Sequence, residues 1–251
     1  MALSLTPVKG LRIASRPALQ LERDGIRGDR VLYLIDDRGR MINGKHSGEL
    51  NRVVAKLEQG QLTLGFPDGS EVAGELRLGE PIETTIHSRP RTARAIEGRF
   101  SEALSAHCGL ALRLVQAADG SSSIDRGVDG SVSLISRASL DGLARSFGVQ
   151  SIDARRFRMS IEIDGVEAFE EDGWVGRELI VGDARVRVGG HVGRCLVTGR
   201  DPDSGEADLA TLDHLREIRS GADTTEPLAL GVYGAVSQPG TVSVGDAVEL
   251  L

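Results

Sequence analysis

The first third of the chain is written in short apolar runs broken by glycine, proline and aspartate. Leu3 and Leu5 alternate with polar residues, and the pattern stops at Pro7, which cannot donate to a ladder. Leu19 and Leu21 alternate again. Val31-Leu32-Tyr33-Leu34-Ile35 is different: a continuous apolar run of strand length, the pattern of a strand buried on both faces. Asp37-Arg38-Gly39-Arg40 then turns the chain into Met41-Ile42. A second hairpin is predicted from Gln61 to Leu64, through Pro67-Asp68-Gly69, to Val72.

Helical spacing enters later. Phe100, Ala103, Leu104 and His107 recur on one face, with Gly109 as a C-terminal cap. Leu140, Leu143, Ala144 and Phe147 fall at i, i+3, i+4 and i+7, closed by Gly148 and capped by Ser136 or Ser139. Leu209, Leu212, Leu215 and Ile218 form a third stripe, with Asp208 as its N-cap. Between the helices lie strand patterns at Leu110 to Val115, Val132 to Ile135 and Ile161 to Ile163. A hairpin turns at Gly182-Asp183, a Val-Gly-Asp corner follows at 244–246, and the Asp-, Gly- and Ser-rich stretch 119–131 reads as a loop. A basic loop at Arg89, Arg91 and Arg94 suggests a division into residues 1–95 and 96–251. The expected fold is mixed but β-rich: a small N-terminal β-domain, then a closed or nearly closed β-structure with peripheral helices.

Composition narrows the function. The 251 residues allow one large domain or two small ones. Aromatics make up only 3%, so Leu, Val and Ile must fill the core, and the 32 glycines imply many tight turns. A net charge of −7 argues against nucleic acid as the main partner. The cluster Arg155, Arg156 and Arg158 on an acidic chain points instead to a small anionic ligand. Two cysteines, Cys108 and Cys195, exclude a disulfide framework and an iron–sulfur cluster held by cysteine alone. Pro7, Lys9 and Gly10 interrupt the N-terminal apolar residues, and no run approaches the roughly 18 of a membrane span. The expectation is a cytoplasmic protein without a membrane span.

Cys195, read as lying on a strand that runs into a tight turn, is the candidate reactive residue. Arg194 stands beside it, and a neighbouring cation lowers a thiol's pKa. Gly189, Gly190 and Gly193 strip bulk from the approach, as where a ligand or another backbone comes close. Asp201-Pro202-Asp203-Ser204-Gly205 makes a polar turn just beyond. His191 is a poor base for it: four residues apart on a straight strand is roughly 13 Å. No second cysteine or histidine stands at zinc-ligand spacing. Lys9, Arg30 and Arg158 each sit where a strand meets a loop, and their ammonium and guanidinium groups suit phosphate oxygens. With a thiolate they suggest a phosphate-bearing cofactor whose metal the cysteine holds. Cys108 reads as a small buried apolar residue.

The order of these pieces resembles the MOSC family, named for the C-terminal domain of molybdenum-cofactor sulfurase, with its N-terminal β-barrel partner. The resemblance runs through Thr6-Pro7-Val8-Lys9, Gly28-Asp29-Arg30, the Ser139–Leu143 helix and Arg156-Phe157-Arg158. It continues with Phe169-Glu170-Glu171-Asp172-Gly173-Trp174, Arg194-Cys195, Asp201–Gly205 and the closing corners. It implies a molybdenum cofactor (molybdenum–molybdopterin) with Cys195 as metal ligand, and with Lys9, Arg30, Arg158, Gly130, Ser131 and Ser160 holding the pterin and its phosphate. A soft thiolate suits such a metal. The implied activity, similar to that of the amidoxime-reducing components, is reduction of N-oxygenated small molecules. No fused ferredoxin cysteine set and no dinucleotide fingerprint is present, so the electrons would come from a separate flavoprotein or ferredoxin-type donor. Ser160 stands where the family often has Asn, Val192 where it has a second cysteine, and Gly199-Arg200 where Thr and a β-branched residue are common. Arg200 is expected to alter the pocket rim. Two other readings share these residues: metal-free persulfide, sulfur-transfer or carbon–sulfur chemistry at Cys195, and a non-catalytic binding module with Cys195 in the core.

Overall fold

The computed structural model describes residues 1–86, 89–122 and 126–251; residues 123–125 of the loop expected at 119–131 lie outside them. Leu32–Ile35 is a strand with all four residues buried. Leu32 and Leu34 pack with Val8, Leu50, Leu62 and Leu64, while Tyr33 and Ile35 face Met41, Ala93 and Val115. This is the two-faced burial that the continuous apolar run requires. The strand lies in an antiparallel five-stranded sheet in the order Leu78–Ile86, Arg89–Ile96, Arg113–Ala117, Leu32–Ile35, Met41–Ile42. The expected 61–72 hairpin is present as Gln61–Gly65 against Glu71–Glu75.

Helix α1, Phe100–Cys108, ends at Gly109 in the left-handed conformation. Its Phe100 and Leu104 join Leu112 and Leu114 in the same core as Leu32. The segment from 96 to 117 therefore belongs physically to the first lobe, and the 95/96 division falls within the strand Arg89–Ile96. The reverse exchange occurs at the N-terminus. Ala2–Leu5 pairs antiparallel with Ile161–Ile163, and Ala14–Arg16 pairs with Ala2–Leu5, at one edge of an eight-stranded sheet. Ala18–Glu22 pairs with Gly240–Ser243. Leu3, Leu19, Leu21 and Ile26 consequently share a core with Val132, Val186, Val188 and Val232. The two lobes are threaded through each other, which puts Thr6–Gly10 and Asp29-Arg30 on the seam.

Helix α2, Arg137–Phe147, is capped by Ser136, whose side chain accepts from the Ser139 N–H, and ends at Gly148 with φ 69°. Below it Glu171 is fully buried and accepts from the Ser136 N–H (3.1 Å) and the Ser139 hydroxyl (2.9 Å). A carboxylate there meets the positive end of the helix. Helix α3, Thr211–Ile218, departs from the expectation. Its N-cap is Ala210 with no side-chain cap bond, and Leu209 precedes it. Asp208 is occupied by Arg156, which donates to it at 2.6 and 2.7 Å. A bidentate charged pair outcompetes a single capping bond. Among the described residues no helix is long and apolar enough to cross a membrane.

Candidate cofactor site

The strand Ala184–Gly193 carries the chain to the seam. Its register against Ala229–Gln238 slips between Val188 and Gly190 and again between His191 and Gly193. Such bulges bend a strand and end its pairing. The glycines make room for that partner strand rather than for a ligand: a Cβ on Gly190 would stand 2.8 Å from the Tyr233 hydroxyl, and one on Gly189 3.0 Å from its ring. Cys195 is thus released from the sheet. It does not lie in a strand, as expected, but opens a 3-10 turn, Leu196–Gly199, whose Thr198 N–H and hydroxyl donate to its carbonyl at 3.1 and 2.9 Å. The following turn is closed by Asp201, whose carboxylate accepts from the N–H groups of Asp203 and Ser204. Those bonds hold its carboxyl below the usual carboxylate range.

The cations come from both lobes. Arg30 and Arg158 both have positive φ, 50° and 57°, a conformation that L residues other than Gly and Asn avoid. Arg30 donates to the Arg158 carbonyl at 2.8 Å and pairs with buried Asp29. Asp29 also accepts from the Thr6 N–H at 3.0 Å, the Arg30 N–H donates to the Thr6 carbonyl at 2.7 Å, and the Lys9 N–H donates to Leu32. The Thr6–Lys9 and Gly28–Arg30 motifs are therefore one hydrogen-bonded unit. Arg155 and Arg156 take no part. Arg155 is spent on Asp153 and Asp203, and Arg156 on Asp208 and Asp201. Only Arg158, where the left-handed residue reverses the chain, reaches the site.

Lys9, Arg30, Gly130, Ser131, Arg158 and Cys195 line one cavity of about 220 Å³ at the seam. Ser160 does not. It lies behind the wall, with its N–H and hydroxyl on Ser133 Oγ at 3.0 and 3.1 Å, and Ser133 is the residue that lines the cavity. Arg200 also falls outside the lining, donating to the Gly205 carbonyl at 2.9 Å, so it is not at the pocket rim. Val192 does line the cavity, whereas His191 turns away, its Nδ1 accepting from the Thr225 N–H at 3.0 Å. Sequence reasoning passed over Asn43, Gly44, Lys45, Arg126 and Tyr233, which complete the wall. They sit in loops or on a strand face without a motif, and only the packing of the lobes brings them here.

The electrostatics are those of an anion site. No carboxylate is among the described lining residues, against six cations, Lys9, Arg30, Lys45, Arg126, Arg158 and Arg194. Burial pushes Arg158 down to about 10, with the Arg30 cation adding to the effect and Asp29 and Cys195 opposing it. Burial pushes Arg194 down to about 9, opposed chiefly by Cys195. Both are still cations at neutral pH. Arg194 is anchored from behind, donating to the Phe157 carbonyl at 2.9 Å and to the Leu230 carbonyl. Three buried polar atoms on the lining residues lack hydrogen-bond partners: Ser131 Oγ, Arg158 Nη2 and Arg194 Nε. Buried donors left unpaired cost free energy, and an anion accepting from them would recover it.

The other cysteine is inert by comparison. Cys108 closes α1 half-buried, and burial, with the Glu49 charge adding, pushes its thiol up to about 11. At pH 8 about one thousandth of such a thiol is ionised. Brief iodoacetamide treatment of metal-free protein at pH 8, read by peptide mass spectrometry, is therefore expected to modify Cys195 and spare Cys108; equal labelling would contradict the assignment.

Residues 1–105 match the MOSC N-terminal beta barrel domain, and residues 121–249 match the MOSC domain. The chain belongs to the MOSC family. It is similar to mitochondrial amidoxime-reducing component 1 of Mus musculus, 35% identical over 124 residues that cover 47% of this chain and 36% of that one. Mitochondrial amidoxime reducing component 2 of Bos taurus is 27% identical over 96% of this chain and 80% of its own length. The molybdenum cofactor sulfurase of Drosophila pseudoobscura pseudoobscura is 28% identical, and the match covers 85% of this chain but 28% of that protein. The chain thus spans about a third of the mouse relative in the matched stretch and a smaller share of the sulfurase. The first match ends within helix α1, inside the first lobe, and the second begins beyond the strand Arg113–Ala117.

Proposed function

We propose that this MOSC protein holds a molybdenum cofactor in the seam cavity and reduces N-oxygenated small molecules with electrons from a separate flavoprotein or ferredoxin-type donor. One observation carries the reading: a thiol, Cys195, and three unpartnered buried polar atoms belong to the lining of a cavity whose charged residues are all cations. The donor set fits the group. Cys195 supplies a soft ligand. Arg30, Arg158, Lys9 and Arg194 supply positive charge for a phosphate and for anionic sulfur. Ser131 supplies a hydroxyl, and Gly130 makes room for Arg126 on the same wall, since a Cβ there would meet the Arg126 side chain at 2.5 Å.

When bound, the cofactor supplies two-electron oxygen-atom chemistry, and the chain does the rest. The turn after Cys195 fixes the direction of the thiolate through Thr198. Arg194, held by two carbonyls, keeps a positive charge beside that sulfur. The Asp29 link holds Arg30 against Arg158, so two like charges stay together ready for an anion, a preorganisation that lowers the cost of binding. Tyr233 and Arg126 complete one side of the wall.

The test is turnover. Protein made in a cofactor-competent host, given reduced viologen as artificial donor, is expected to convert an aryl amidoxime to the amidine. Absence of turnover by molybdenum-loaded protein, with viologen oxidation no faster than in buffer, would overturn the activity.

A further inference from the structure

Two of the six cavity cations differ from the others. Lys9 and Arg194 are buried and Arg158 half-buried, and Arg30 is tied to Asp29. Lys45 is exposed, and Arg126 keeps about a third of its side chain in solvent. They stand on opposite lobes. Lys45 follows Gly44, where a Cβ would lie 2.8 Å from Val197 Cγ2. The 43–45 loop is thus pressed directly onto the turn that Cys195 opens. The loop is held by its own bonds: Asn43 Oδ1 accepts from the Lys45 N–H at 3.0 Å, and the His46 N–H donates to the Asn43 carbonyl at 2.9 Å. From the other side, Arg126 lies over the Tyr233 ring, 4.5 Å from its centroid, and among the described residues one of its nitrogens is engaged, by Glu226 at 3.3 Å. That pair is exposed and therefore weak. The Lys45 ammonium has no acidic partner among the described residues.

Resting on the activity proposed above, we infer that Lys45 and Arg126 make the cavity mouth selective for anionic substrates: N-oxygenated compounds that also carry a carboxylate or a comparable oxyanion. The deep cations lie with the thiol and the unpartnered buried donors, where a resident anionic group is needed. The two mouth cations reach solvent from within the same wall, where a group that enters and leaves is met. A planar guanidinium stacked on Tyr233 presents its edge to a carboxylate, and Lys45 provides a mobile point charge opposite. On a protein of net charge −7 such a local field selects as well as attracts.

The experiment uses the holoenzyme and two aryl amidoximes of the same shape, one neutral and one with a para-carboxylate. Equilibrium binding to the oxidised enzyme and viologen-driven turnover are both measured. The carboxylate compound is expected to bind about tenfold more tightly than the neutral one at low salt, with the advantage shrinking in 0.5 M salt by roughly the factor expected for screened charges. Lys45→Glu is expected to remove that advantage, lowering affinity for the carboxylate compound about tenfold more than for the neutral one. Equal binding of the two compounds by wild type, or an advantage that survives Lys45→Glu and Arg126→Gln together, overturns the inference. So does loss of molybdenum from Lys45→Glu, which would place this residue on the cofactor. Charge-selective binding without turnover of either compound supports the mouth and defeats the activity; turnover with no charge preference does the reverse.

Discussion

Arg158→Gly and Arg158→Ala are each expected to weaken anion binding by about 10–100-fold, the worth of one charge-assisted contact, without destabilising the empty protein. Arg158 has φ 57°, so its side chain is carried at a conformational cost of about 1 kcal/mol or more that glycine does not incur. Its Nη2 is buried without a partner, and the Arg30 cation is close enough to lower its pKa. The side chain donates no hydrogen bond among the described residues. Removing it therefore relieves desolvation and like-charge repulsion in both variants, and glycine relieves the backbone as well. The glycine variant should melt above the alanine variant by roughly 2–4 °C for a chain of this size. Wild type should gain thermal stability from inorganic pyrophosphate, rising with the logarithm of its concentration over Kd, and both variants should lose most of that gain. A glycine variant that melts below the alanine variant would refute the strain argument. Unchanged pyrophosphate stabilisation in either would remove Arg158 from the anion site.

Arg158 also marks where sequence reasoning stops. The three arginines at 155, 156 and 158 are indistinguishable by composition. The structure separates them by one left-handed residue, which no propensity scale would place on arginine. Leu32–Ile35 was legible because a continuous apolar run must be buried on both sides, and it is. Helix α2 was legible because the spacing of Leu140, Leu143, Ala144 and Phe147, the Ser136 cap and Gly148 all agree. Strand partners were not. Ala2–Leu5 announces a strand, but nothing local says that its neighbour is Ile161–Ile163, and that pairing is what threads the N-terminus into the second lobe. Helix α3 shows a further limit: Asp208 is a good cap by type, yet a buried guanidinium claimed it. Cys195 itself was misplaced in a strand because the two bulges that bend the chain leave no signal beyond their glycines.

The resemblance to MOSC proteins pointed at Lys9, Arg30 and Arg158 before any contact was visible. The contacts give those positions a physical reason. Asp29 ties Thr6 to Arg30, Arg30 ties Arg158, and both arginines adopt the conformation that turns their side chains toward the seam. Glu171, within the Phe169–Trp174 motif, anchors the start of α2 and is structural rather than a cavity residue.

The second large effect concerns Cys195, and with it the central claim. Its thiol is the one ionisable sulfur among the described residues of the cavity wall, the Met159 thioether there being engaged by Arg194, and no group of three or more His, Cys, Asp or Glu residues among those described could hold a metal in its place. Serine has nearly the same size, so Cys195→Ser should fold and melt as the empty wild type does. A hard hydroxyl in place of a soft thiolate should nevertheless weaken retention of molybdenum by at least the 10–100-fold typical of altering a metal's surroundings. The deciding measurement is elemental molybdenum per chain in wild type and Cys195→Ser, purified side by side from a cofactor-competent host. The account predicts about one molybdenum per chain in wild type and less than about a tenth of that in the variant. Wild type without molybdenum, or a serine variant that keeps its full complement, would contradict it.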